Sequence, residues 1–317
     1  MASARLVLTA LLGPPVLVGA TLCALVASLA QLGRWSPTWD LLTHLAPIYL
    51  AVGLGASLLG LLFTGRLRTP VLAAGLVGAF AAALLVAPEY LRSTGPKAAA
   101  GAGPTFKVVQ FNAWDGVGGT SRPLAWLDAE KPDVVVVEES NRRIREAFTR
   151  DGWRAVSGRS NVMLFTREPL SRAIVPRDNA TGPLELNGLV LATPSGDVTV
   201  LGVHAPWPTQ RSIEAERQAF LPVIHSFPPA RTILAGDFNS TPWSFARQRD
   251  DQSYGLIRRT RAVFTWPIAG SRLAVPLLPI DHVYAGDGWA TVKVEHGPAL
   301  GSDHYPVVVT LAPTGPS

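Results

Sequence analysis

The sequence predicts an α/β sandwich domain behind an N-terminal group of three membrane-spanning helices. Three observations carry this. Long apolar runs are confined to the first hundred residues, short β-rich runs alternate with polar helical stretches after about residue 105, and polar or acidic residues sit at the ends of those short runs.

The apolar runs are about Leu6–Leu32, Leu41–Thr64 and Pro70–Leu91. Each can cross ~30 Å of hydrocarbon at ~1.5 Å per residue. The first is too long for a secretory signal, and two more follow it. Runs of this length with so few charges read as spans rather than as buried helices of a globular domain. Trp35 and Trp39, between the first two spans, fit an interfacial aromatic belt. Residues 1–103 hold six Lys or Arg and two Asp or Glu against 22 and 21 in the remainder, so the net charge of +5 divides into +4 and +1. The nearly neutral remainder gives no support for broad polyanion binding. Cys23 is the lone cysteine, so no intramolecular disulfide forms.

Arg5 and the amino terminus share one side with Arg66 and Arg68, and Arg34 lies on the other. The positive-inside rule then puts the amino terminus in the cytosol and the following domain outside, although Arg92 and Lys97 argue the opposite way. The boundaries expected are a transmembrane region over 1–94, a Gly- and Ala-rich linker over 95–104, and a soluble domain over 105–313.

Within that domain the expected strands are Phe106–Asn112, Asp133–Glu139, Val162–Thr166, Leu186–Thr193, Val198–His204, Thr232–Asp237, His282–Ala285 and Tyr305–Leu311. Pro194–Asp197 reads as a hairpin turn. Expected helices are Arg122–Glu130, Asn141–Arg150, Ser212–His225 and Pro242–Asp250, the last with Thr241 as N-cap and Pro242 at its first position.

Asn112, Glu139, His204 and Asp237 each end an apolar strand, whereas Asp281 and Asp303 precede one. If the second set runs antiparallel to the first, all converge on one rim, where rigid strands hold polar groups at a mouth. A period of two places Asp237 and Asn239 on one face if the strand persists. Carboxylates, amides and imidazoles without cysteine suit a hard, oxygen-ligated ion such as Mg²⁺ or Mn²⁺. His282 reads as structural, and His225 and His296 as surface residues. Arg142, Arg143 and Arg145, and the Arg258–Arg261 cluster, read as solvated helix faces. Trp207 and Trp266 are expected in core packing rather than lining a cleft.

The segments QFNAW (110–114), PDVVVVEES (132–140), GVHAPWP (202–208), GDFNSTPWS (236–244), PIDHVYA (279–285) and GSDHYPV (301–307) resemble, in this order, the endonuclease/exonuclease/phosphatase superfamily of DNase I-like nucleases, abasic-site endonucleases, sphingomyelinases and inositol-phosphate phosphatases. The resemblance covers nearly all of 105–312 and is closest to bacterial members with N-terminal membrane spans. It implies a four-layer α/β sandwich with two packed mixed sheets, and metal-dependent hydrolysis of phosphate esters by activated water. It further implies that Asn112, Glu139 and Asp303 serve the metal site, with Glu139 the principal ligand. His204 would contact phosphate or assist the leaving group, Asp237 would activate water, Asn239 would bind a phosphate oxygen, and Asp281 would hold the imidazole of His304 against the scissile phosphate. The family usually has Gln where this chain has Glu138, adding a negative charge that matters little if its side chain points away.

Two function classes follow. One is an active, membrane-anchored phosphoesterase, with a phospholipid or lipid-linked phosphate on the outer membrane face placed ahead of nucleic acid as substrate. The other is an inactive receptor or scaffold on the same fold.

Overall fold

A computed structural model of the chain describes residues 2–101, 103–178, 182–209, 213–268 and 275–314. It divides into two compact units, one of residues 1–92 with 241–249 and one of 93–240 with 250–317.

The first unit is built on α1 (Ala2–Ala30), the short α2 (Pro37–Asp40), α3 (Ala46–Leu62) and α4 (Arg68–Leu91). Stretches Ala4–Arg34, Pro37–Leu62 and Gly65–Leu91 are long and apolar enough to cross a membrane. The later segment 241–249 packs into this unit. Asp40 accepts the backbone N–H of Phe245 on Oδ1 (2.9 Å) and of Ala246 on Oδ2 (2.8 Å). The Trp243 indole donates to His44 O at 3.0 Å, and His44 Nδ1 meets Thr241 Oγ1 at 3.0 Å.

The second unit holds β1 (Phe106–Asn112), α5 (Ser121–Glu130), β2 (Val134–Glu138), α6 (Arg142–Arg150), β3 (Arg154–Ser157), β4 (Met163–Thr166), β5 (Leu170–Ile174), β6 (Leu186–Thr193), β7 (Gly196–His204), α7 (Ile213–Ile224) and β8 (Thr232–Asp237). After α8 (Phe245–Ser253), which begins in the first unit, follow β9 (Ile257–Arg258), β10 (Asp281–Ala285), β11 (Trp289–His296) and β12 (Val307–Pro313). They form two six-stranded mixed sheets, ordered β11-β12-β1-β2-β4-β3 and β5-β6-β7-β8-β10-β9.

Strand periodicity explains the layering. Val108, Val134, Val136 and Leu164 of one sheet meet Leu189, Val200, Ile233 and Val283 of the other in the central core. The alternate residues Val109, Phe111, Val135 and Val137 face outward and are covered by Leu127 of α5 with Ile144 and Phe148 of α6. Leu201, Val203 and Leu234 are covered by Phe220 and Ile224 of α7. The result is a four-layer α/β/β/α sandwich, as the sequence predicts. The central strands are apolar throughout because both faces are buried.

Several elements depart from expectation. Strands β3, β5, β9 and β11 lack a sequence signal: all four lie toward the sheet edges and are short or polar. The last helix begins at Phe245 rather than Pro242. Thr241 instead accepts the Ser244 N–H in a turn, and Ser244 Oγ accepts from Arg247 N at 3.0 Å. The expected start of α7 at Ser212 lies outside the described residues. The hairpin at 194–197 forms, with Thr193 paired to Gly196. Arg258–Arg261 is no solvated helix face, since Arg258 and Arg259 are buried. Trp207 is 42% exposed and so is not a core residue.

Candidate active site

Strand direction assembles the rim. β1 runs parallel to β2, and β7 parallel to β8, so Asn112, Glu138 with Glu139, His204 and Asp237 arrive at C-terminal strand ends. β10 is antiparallel to β8 with Asp281 opposite Asp237. β12 is antiparallel to β1, which brings the preceding Asp303 and His304 to the same end. Gly236 is required beside Asp237, because a Cβ there would lie 1.9 Å from Val203 O.

Asn112 is buried, and its Nδ2 donates to Glu139 Oε1 and to Asp237 Oδ2, each at 3.0 Å. Its Oδ1 accepts the Trp114 N–H at 3.0 Å. Asp237 Oδ1 accepts the Asn239 N–H at 2.8 Å. The strand therefore ends at Asp237 and turns, with Asn239 in the left-handed region at φ +48°, so the period-two argument for a shared face fails. Asn239 reaches the site by this turn instead: its Nδ2 donates to Ala205 O (2.9 Å) and meets His204 Nε2 (3.3 Å). Glu139, also left-handed at φ +46°, follows the end of β2. Such conformations in non-glycine residues persist where the surroundings over-determine them.

Two histidines flank Asp237. His204 Nε2 lies 3.9 Å from both Asp237 Oδ2 and Glu139 Oε1, while its Nδ1 meets Asn161 Oδ1 at 3.0 Å. His304 Nε2 lies 3.7 Å from Asp237 Oδ2, and its Nδ1 is 2.8 Å from Asp281 Oδ2. Ligand atoms of Asp237, Asp281 and His304 all fall within 4.8 Å of one another. Because His304 Nδ1 is committed to Asp281, this trio is a hydrogen-bonded cluster rather than a ready coordination sphere. Asp303 Oδ2 accepts the Trp266 indole N–H at 2.9 Å, which gives Trp266 a polar task beyond packing.

Burial and then the Asp281 charge push the Asp237 carboxyl up to about 6, against the pull of His304, His204 and the Asn239 N–H. Burial would lower the His304 imidazolium, but the charge and hydrogen bond of Asp281, then Asp237 and Asp303, push it up to about 9.

Sequence reasoning missed a buried layer beneath these groups. Gln110 Nε2 donates to Glu138 Oε2 (2.8 Å) and to Asp281 Oδ1 (2.7 Å). Glu138 does not point away to solvent: it is fully buried, and burial, followed by the charges of Asp281 and Asp237, holds its carboxyl well above the usual range. Asn161, which orients His204, also carried no motif. The period-two pattern of β1 and β2 could have flagged Gln110 and Glu138 as polar residues on otherwise apolar strands. His282 is buried and bonded to Ser240 O at 2.9 Å, a structural position.

The donor set fits a hard divalent cation. Oxygen atoms dominate it, the Glu139 side chain at 25% exposure is more open than Asp237, Asp281 or either histidine, and Asn239 Oδ1 is buried without a partner.

The profile of the Endonuclease/Exonuclease/phosphatase family matches residues 110–304. Among solved structures, an endonuclease/exonuclease/phosphatase from Beutenbergia cavernae DSM 12333 is 21% identical, with a TM-score of 0.50 over 67% of this chain and 72% of that one. An AP endonuclease from Archaeoglobus fulgidus is 18% identical, with a TM-score of 0.51 over 66% of this chain and 100% of that one. A family protein from Bacteroides thetaiotaomicron is 13% identical, with a TM-score of 0.52 over 66% and 97%. At these identities the likeness concerns the fold. No curated protein matches the chain.

Proposed function

The chain belongs to the endonuclease/exonuclease/phosphatase family, hydrolases of phosphate esters, and from that premise we propose a membrane-anchored, Mg²⁺- or Mn²⁺-dependent phosphoesterase that attacks a phosphodiester with activated water. The observation that carries it is the convergence on Asp237 Oδ2 of the Asn112 amide at 3.0 Å, His304 Nε2 at 3.7 Å and His204 Nε2 at 3.9 Å.

Asp237, with its carboxyl at about 6, holds and deprotonates the attacking water near neutral pH. His304 stays protonated there and donates from Nε2 to a phosphate oxygen, while Asp281 fixes its Nδ1. His204 presents Nε2 to the same space, oriented by Asn161, and Asn239 beside it serves a phosphate oxygen. Glu139 and Asp303 would hold the cation. Asn112 Nδ2 bridges the Glu139 and Asp237 carboxylates, so it acts on the metal site by spacing its ligands. Bound there, a divalent ion would neutralise charge developing on the phosphate. The full complement of Glu139, Asp237, Asn239, Asp303 and His304 favours activity over the receptor or scaffold reading.

We place the domain on the extracytoplasmic face and a phospholipid or lipid-linked phosphate ahead of nucleic acid. The near-neutral domain charge, the three candidate spans and the short connection to the last of them support the substrate ordering, and Arg5, Arg66 and Arg68 on the side opposite Arg34 support the face. The test compares phospholipid vesicles with plasmid DNA at matched protein and Mg²⁺. Lipid product without DNA cutting is expected, and efficient DNA cutting without lipid product reverses the assignment. A carboxy-terminal reporter active only in the cytosol refutes the placement.

A further inference from the structure

An open cleft of about 560 Å³ is lined by Lys97, Arg259, Arg261 and Lys293, with Thr94 and Thr291. No carboxylate lines it among the described residues. Glu295 pairs with Lys293 at 2.8 Å, and the charge of Asp287 reaches Arg259.

Arg259 is the built part of the cleft. It is 1% exposed, and its acceptors are backbone carbonyls: Nη1 donates to Thr94 O (3.1 Å), Nη2 to Ala285 O (3.2 Å) and Gly286 O (2.5 Å). Its Nε is buried without a partner, and so is Thr291 Oγ1. Burial lowers this guanidinium to about 10 against the charge of Asp287, so a further anion beside it is favourable. The chain makes room for it at Gly95, whose φ is +79° and where a Cβ would stand 1.7 Å from Arg259 Nη1.

The connection from the last apolar helix is tied to the same place. Thr291 N donates to Pro96 O (2.8 Å) and Ala98 N to Thr291 O (3.0 Å), so Lys97 lies against the free edge of β11. Thr291 registers with Leu311, and Leu311 with Phe106 at the start of β1. Asn112 lies six residues further along β1, about 20 Å away at ~3.3 Å per residue. The cleft is therefore separate from the catalytic rim. The apolar helix α4 ends at Leu91, three residues before Thr94, and three residues of chain reach at most about 11 Å.

We propose that this cleft binds the phosphate of an anionic phospholipid headgroup. Guanidinium and ammonium donors with a threonine hydroxyl suit phosphate oxygens, and covalent reach keeps them near the end of a membrane span. The proposal rests on reading Arg68–Leu91 as a span and is independent of catalysis.

The test uses the full chain, purified in neutral detergent with EDTA. Dihexanoyl phosphatidylglycerol, dihexanoyl phosphatidylcholine, inorganic phosphate and a 12-mer of thymidylate are titrated by calorimetry. Phosphatidylglycerol is expected to bind best, and Lys97→Gln with Lys293→Gln to weaken it about 10-fold or more. Both lysines are exposed, so the fold is kept. Hydrolysis of bis(4-nitrophenyl) phosphate with Mg²⁺ stays unchanged in this variant. Equal phosphatidylglycerol affinity in the two proteins overturns the proposal, as does its failure to bind. Inorganic phosphate or the oligonucleotide binding as tightly also overturns it, by pointing to free phosphate or nucleic acid. Lipid binding that persists in a chain without hydrolytic activity supports the cleft and counts against the catalytic reading alone.

Discussion

Replacing Asp281 by Asn tests the electrostatics of the rim directly. Asp281 Oδ2 accepts from His304 Nδ1 at 2.8 Å with both side chains nearly inaccessible to water, so little screening intervenes. A rise of the imidazolium from 6.5 to about 9 corresponds to roughly 3 kcal/mol in favour of the charged form. Because the folded value exceeds the unfolded one, that stability is fully present below pH 6.5 and is lost as pH rises through about 9. Asp281→Asn removes the largest favourable contribution to it. The stability gap between wild type and variant is therefore widest near pH 6.5 and narrows toward pH 9.5. The Asp237 carboxyl, at about 6, has finished titrating below most of this window. Relief of Glu138, which the Asp281 charge helps to hold up, narrows the gap in the same direction and is separated by repeating the comparison in Glu138→Gln. Roughly 3 kcal/mol displaces the unfolding midpoint of a domain this size by about 6–12 °C. Near-UV circular dichroism of the full chain in detergent with EDTA, scanned from pH 6.5 to 9.5, gives the gap. A gap that is constant or widens with pH refutes the assignment of His304 as a buried imidazolium held by Asp281.

Chelation with EDTA should abolish hydrolysis, and Mg²⁺ or Mn²⁺ should restore it; Glu139→Ala and Asp303→Ala should each shift the metal titration while leaving the unfolding midpoint nearly in place. Asp237→Asn and His304→Ala should each lower turnover by ~10²-fold or more, as measured by steady-state kinetics. His282→Ala should instead lower the unfolding midpoint, because its buried ring bonds to Ser240 O. The raised Glu138 carboxyl disfavours the fold increasingly as pH climbs above its unfolded value, so Glu138→Gln should stabilise the metal-free protein at pH 7 and lose that advantage near pH 4. Parallel pH curves for Glu138→Gln and wild type would count against a buried neutral acid.

What the sequence made legible follows burial. Strands β1, β6 and β8 are read from end to end because both faces are covered and their residues are correspondingly apolar. β5, with the sequence LSRAI, is polar because it forms a sheet edge. Asp237 and Asp281 fall on one rim if their strands run antiparallel, and the structure pairs them in register. Asn239 reaches the site for a reason that alternation cannot express, a left-handed turn closed by Asp237 Oδ1. Gln110 escapes notice, and Glu138 is noticed without its buried role, because their importance comes from contact across sequence separations of 28 and 171 residues. The arginines 258–261 look solvated by charge count, yet Arg258 folds onto Asp251 at 2.7 Å and Arg259 onto backbone carbonyls.

The unit that contains the apolar helices is completed by residues 241–249, with 148 residues of intervening chain from 93 to 240. During synthesis at ~5–20 residues per second, the helices therefore exist for roughly 7–30 s before the segment that closes their unit has been made. Through that interval Asp40 lacks the Phe245 and Ala246 N–H groups that it later accepts, and His44 lacks Thr241 and Trp243. Completion of the helical unit is therefore timed by translation of the 148 residues that separate its two parts.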